Sequence, residues 1–172
     1  MKILPEQRPE ITKKEALDLA STLCSRSKLP PIFWLGIRGY SKNSLYPDAI
    51  CIVADDEFIT FNGNTDPSLL QRGVYNLLPG VYHAYKFDNH KGAYMAFCQR
   101  AAHVDVVKNG KKESGMFGIN IHRGGSFGGS LSGSHTIPPS QWEDFITSSM
   151  RLAKRYDKDW ASKTYTYILI EL

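Results

Sequence analysis

His122 is followed by Arg123-Gly124-Gly125, and a run of glycine and serine leads from there to Ser132-Gly133-Ser134-His135-Thr136. Covalent acyl transfer needs parts of these kinds: a nucleophile, a base beside it, and backbone N–H groups free to hold an oxyanion. Gly133, just before Ser134, lets the backbone take a sharp turn that presents a side chain together with its amides. A histidine near a Gly/Ser loop also arises without function, so spacing alone leaves this chemistry open. A second pairing, Cys98 with His103, is set aside because their odd separation along a strand puts them on opposite faces.

Positioning such a site requires a strand that ends at the histidine and an element that receives the loop. Gly118-Ile119-Asn120-Ile121-His122 supplies the strand, and Pro138-Pro139-Ser140-Gln141-Trp142-Glu143 begins a helix after the loop. Ser140 and Glu143 have capping-box spacing, and Trp142, Phe145, Ile146, Met150 and Ala153 form the buried face of that helix. Thr12 and Glu15 form an earlier capping box, and apolar spacing predicts a helix over 13–26, closed by Leu29-Pro30-Pro31. Strands are expected over 32–40, 49–54, 57–61, 81–86, 93–99 and 165–170. Residues 62–68 read as a loop, and Lys108-Asn109-Gly110-Lys111 as a hairpin turn between Val104–Val107 and Gly118–His122.

The composition fits one globular domain. At 172 residues the chain is long enough to bury a core, and 42% apolar with 22% charged residues argues against disorder. The net charge of +4 suits an anionic polymer or surface, but the cations are scattered and no aromatic-spaced basic motif points to nucleic acid. Cys24, Cys51 and Cys98 are too few and too far apart for a disulfide scaffold or a zinc site, and no cofactor or metal is expected. Cys51, inside Ala49-Ile50-Cys51-Ile52-Val53, reads as a small buried hydrophobe. No apolar stretch is long enough to span a membrane. Met1–Glu6 lacks the apolar core of a secretory signal, which implies synthesis in the cytoplasm.

Ile121-His122-Arg123-Gly124-Gly125 and Gly133-Ser134-His135-Thr136-Ile137-Pro138-Pro139 resemble the two motifs of the L,D-transpeptidase catalytic domain (YkuD-like), in its compact phage and interbacterial-toxin form. Phe61–Pro67 and Leu78–Tyr82 are similar to the phage-type members as well. The resemblance covers most of 32–172 and leaves 1–31 as an N-terminal helical extension of a single domain. It implies a mainly β (α+β), β-sandwich-like fold with an N-terminal helix and a helix after the active-site loop. It also implies acyl transfer or hydrolysis on peptidoglycan stem peptides. In that scheme His122 is the base, residue 134 the nucleophile, and the Gly133 and Ser134 amides the oxyanion donors. Arg123 or Gly124 supplies the group that orients the histidine.

The family's nucleophile is cysteine, and this chain has Ser134; Leu131 stands where a serine or threonine is usual. A hydroxyl, unlike a thiol, is not ionised near neutral pH and depends wholly on its base. Ser134 therefore reads as an inactivating substitution, or as a serine in its own right that gives a weak serine enzyme or a binding-only relative. Substrate contacts are expected from Arg123, which suits a carboxylate, and from His135 and His90; each also reads as a plain surface residue. The expected site of action is the periplasm or the wall, reached after lysis or by specialised export. Export machinery or an immunity protein are the partners such a role implies.

Overall fold

The structure, a computed structural model, describes residues 7–42, 44–69, 72–126, 130 and 132–172. Leu131 and the first six residues, which carry two of the expectations above, lie outside the described residues. The fold is mainly β with two α-helices, as expected. In chain order the helix α1 (Lys13–Ala20) is followed by β1 (Ile32–Arg38), β2 (Asp48–Ala54), β3 (Phe58–Gly63), β4 (Asn76–Leu77), β5 (Gly80–His90) and β6 (Tyr94–Gln99). Then come β7 (Val104–Lys108), β8 (Lys111–Gly115), β9 (Ile121–Arg123), β10 (His135–Ile137), α2 (Pro139–Tyr156) and β11 (Tyr165–Glu171).

Eight strands form one sheet in the order β10-β9-β6-β5-β11-β1-β2-β3, and β4-β7-β8 form a small second sheet. The pairs β9–β10 and β1–β11 are parallel, and the other pairs of the large sheet are antiparallel. The large sheet bends until its two ends meet. Asn64, just past β3, bridges Thr136 of β10, with hydrogen bonds of 2.9 Å (Asn64 N–H to Thr136 O) and 3.0 Å (Thr136 N–H to Asn64 O). Asp48 holds that junction from beneath. Its carboxylate accepts from the Thr65 N–H at 2.6 Å, the Thr65 hydroxyl at 2.7 Å and the Gly39 N–H at 2.8 Å.

β1 and β2 are buried along their whole length and β11 along all but its last residue, which is why they read as continuous apolar runs. On one face Trp34, Ile50, Ile52, Tyr167 and Leu169 pack with Trp142, Phe145 and Leu152 of α2. The Trp34 ring lies 4.4 Å from that of Phe97, and its N–H donates to the Ser149 hydroxyl at 3.0 Å. On the other face Phe33, Leu35, Cys51, Val53 and Ile168 pack beneath Ala16 and Ala20 of α1. Cys51 is the small buried hydrophobe expected, with its thiol pushed up to about 12 by burial.

Three local expectations need correction. α1 forms its Thr12–Glu15 capping box but ends at Ala20, not near 26. Ser21 and Thr22 turn their hydroxyls onto the carbonyls of Leu17 and Leu19, and the chain leaves the helix. The second capping box does not form: Pro138 is the cap residue of α2 and Pro139 its first position, so Ser140 already lies inside the first turn. The Asn109-Gly110 turn, with φ of 51° and 76°, joins β7 to β8, not to the 118–122 segment. Lys111–Gly115 is polar and suits that outlying sheet, whereas Ile119 and Ile121 need the core and join it.

Candidate functional site

β9 and β10 run side by side with Ile121 opposite His135 and His122 opposite Thr136. The same register carries residue 134 to Asn120. Alternation then places His122 and Thr136 on one face and Ile121 and His135 on the other. His122 thus lies in β9, and residue 134 immediately precedes the neighbouring strand β10.

His122 is half-buried. Its Nδ1 lies 2.8 Å from the Arg123 carbonyl oxygen. A carbonyl only accepts, so Nδ1 carries the proton and the lone pair is on Nε2. Among the described residues Nε2 has no partner. Burial pulls the imidazole down to about 4, with smaller contributions from His90 and Lys91, so the ring is neutral at pH 7. The orienting group is therefore the Arg123 backbone. The Arg123 guanidinium is a separate feature: exposed, 5.3 Å from the Tyr94 ring centre, and open to an anion. Gly124 donates its N–H to Ile137 O at 2.8 Å. A Cβ there would come within 2.2 Å of the Tyr46 hydroxyl oxygen, so the close approach requires glycine.

Gly133 has φ of 96°, and a Cβ on it would meet the Tyr75 carbonyl oxygen at 2.3 Å. Conformation and space both demand glycine there. Among the described residues neither the Gly133 nor the Ser134 N–H has a hydrogen-bond acceptor, as donors kept for an oxyanion require. The Ser134 hydroxyl, by contrast, is fully used. It accepts from the Asn120 N–H and donates to the Gly118 carbonyl, both at 3.1 Å. Only 2% of the residue is exposed, and no hydrogen bond joins it to His122. The expected hydroxyl facing an open cleft is not what the backbone leaves here.

His135 does not line a groove. Its place opposite Ile121 turns it into the core, where it is wholly buried with Nδ1 2.9 Å from the Tyr167 hydroxyl and Nε2 without a partner among the described residues. Burial holds its pKa well below the ordinary histidine value. His90 is not a loose turn residue either. It ends β5, is 7% exposed, and stacks on His122 with ring centres 4.1 Å apart and planes 18° apart.

The residue without an expected role is Asn120. Its backbone N–H meets Ser134, its side-chain oxygen accepts from the Gln99 N–H at 3.0 Å, and its Nδ2 lies 3.2 Å from His90 Nδ1. The signal was in the sequence: a polar residue two positions before His122, in the segment that reads as its strand. Hollows of about 200 and 390 Å³ lie beside α1 and are lined by none of these residues. Among the described residues no cluster of histidine, cysteine and carboxylates suits a metal ion, and no helix is long and apolar enough to cross a membrane. In comparison with known proteins, no family model, no curated protein and no solved structure matches the chain.

Proposed function

We propose that the β9–β10 junction is an acyl-transfer site of the L,D-transpeptidase type, built for peptidoglycan stem peptides and silent in its Ser134 form. The observation that carries this reading is the hydrogen bond from His122 Nδ1–H to the Arg123 carbonyl, which leaves a neutral Nε2 lone pair on β9, beside the strand that residue 134 leads into. The N–H groups of Gly133 and Ser134, which have no acceptor among the described residues, support it, as does the exposed Arg123 guanidinium for a stem carboxylate.

With cysteine at 134, His122 Nε2 takes the thiol proton and the thiolate attacks the carbonyl of the third stem residue. The Gly133 and residue 134 amides hold the oxyanion. As the tetrahedral centre collapses, His122 returns the proton to the departing amine of the terminal D-residue. Water or the amine of another stem then attacks the thioester, with His122 again as base, and frees the enzyme. With serine, the hydroxyl proton is committed to Gly118 O and the oxygen to the Asn120 N–H, so neither is free for this step. The Ser134 form therefore binds stems without cleaving them. Its site of action is the periplasm or the wall, reached after lysis or through an export machine, and in the exported case an immunity protein is its partner.

The test is to incubate tetrapeptide stems with the Ser134 protein and with Ser134→Cys, and to read stem length by mass spectrometry. Release of the terminal D-residue by the cysteine form alone is the expected result. Equal turnover by the serine form makes the protein a serine hydrolase. No turnover by a folded cysteine form removes the acyl-transfer reading.

A further inference from the structure

His90 and His122 lie face to face, and the hydrogen bonds at their edges fix opposite tautomers. Asn120 decides the first. Its side-chain oxygen is occupied by the Gln99 N–H at 3.0 Å and the Arg100 guanidinium at 3.4 Å. The amide nitrogen must then face His90, and it donates to Nδ1 at 3.2 Å. His90 Nδ1 is an acceptor, and its proton is on Nε2. The Arg123 carbonyl decides the second: His122 carries its proton on Nδ1 and its lone pair on Nε2. One ring offers an N–H and the other, 4.1 Å away, offers a lone pair.

The groups around the stack keep both rings uncharged. Lys91 follows His90 in the turn, Arg100 approaches from the end of β6, and both lower the His90 pKa after burial has done so. Lys91 and His90 act on His122 in the same direction. Tyr94 of β6 lies 5.6 Å from the His90 ring, and the Arg123 guanidinium covers Tyr94. Among the described residues no carboxylate contributes to the titration of either ring. Two imidazolium rings in face contact repel strongly; the Arg123 carbonyl on His122 Nδ1 favours the charged ring but is outweighed by burial, and the nearby Asp88 carboxylate is engaged by Arg100 at 2.8 Å.

We propose that His90 is a positioning residue: locked as its Nε2–H tautomer by Asn120, it is the plate that holds the His122 ring in one plane with its lone pair on Nε2. The benefit to catalysis rests on the acyl-transfer reading of His122, whereas the paired tautomers do not. Asn120 also touches residue 134 through its backbone, so one residue ties the base's support to the nucleophile position.

The experiment is a long-range proton–nitrogen correlation spectrum of the imidazoles of the Ser134 protein between pH 5 and 8. The expected result is His90 protonated on Nε2 and His122 protonated on Nδ1 at pH 8, with His122 still neutral at pH 6. A neutral His90 protonated on Nδ1, or a neutral His122 protonated on Nε2, overturns the proposal. Two variants test the plate. His90→Phe keeps a flat ring and should leave His122 on Nδ1–H, whereas His90→Ala should give a mixture of His122 tautomers. An unchanged single tautomer in His90→Ala also overturns it, and if that variant does not fold, the wild-type spectrum still decides. In the Ser134→Cys background, His90→Ala should lower kcat roughly 10–100-fold with KM little changed, and His90→Phe should restore most of it. If Ser134→Cys has no activity at all, the function proposed above fails while the spectra still judge the stack.

Discussion

Gly133 bears two constraints in one position, a φ of 96° and a 2.3 Å approach of any Cβ to the Tyr75 carbonyl oxygen. Gly133→Ala should therefore cost about 2 kcal/mol or more in urea denaturation, since strained backbone alone costs about 1–3 kcal/mol. A loss below half that would show that the turn yields easily. His122 makes a different prediction. Its pKa is about 4 in the folded chain, against ~6.5 when unfolded. Between those values the unfolded chain binds a proton that the folded chain refuses. Stability should thus fall as pH drops from ~6.5 towards 4, by roughly 3 kcal/mol at most from this group, and level off below. His135, held well below its ordinary value, acts in the same sense. Denaturation midpoints for the wild type and His122→Gln across pH 4–7 measure it; parallel slopes would refute it. Residue types and spacing marked His122, Gly133 and residue 134 as candidates because strand ends and glycine turns leave local marks. They did not reveal the burial of Ser134 and His135 or the stack of His90, which depend on the register of β9 against β10 and on how β5 ends.

At the scale of elements, the closure of the sheet depends on Asp48. Asp48→Ala removes acceptors from two backbone N–H groups and one hydroxyl, beneath the Asn64–Thr136 bridge. A loss of about 2–4 kcal/mol is expected, because buried donors left unpaired cost about 1–3 kcal/mol each. The disturbance should reach His122, whose strand partner is Thr136, as a shifted imidazole resonance. A stable variant with an unmoved His122 signal would uncouple the two. Most strands were legible from period and turn residues, and α2 from its apolar face. The 118–122 segment was assigned the wrong partner because a good turn at Asn109-Gly110 names one strand of a hairpin and not the other. The sequence held no local sign that the polar Lys111–Gly115 would form that second strand.

The whole molecule is one large sheet covered by α1 on one face and α2 on the other, with a small three-stranded sheet beside it. β11 lies between β1 and β5, in the middle of that sheet, yet it follows every other strand in the sequence. During synthesis, β1 and β5 therefore emerge long before the strand that joins them. Each must wait with an unpaired, apolar edge, the kind of surface that seeds aggregation. Pairing across most of the chain is also slow to close. A fragment ending at residue 162 should be insoluble or protease-sensitive alone. A peptide of residues 163–172 supplied in trans should rescue it, and limited proteolysis with and without peptide measures this. Resistance of the fragment without the peptide would refute it. For the cell, the sheet is unprotected until translation has passed β11, and holding chaperones have their longest task there.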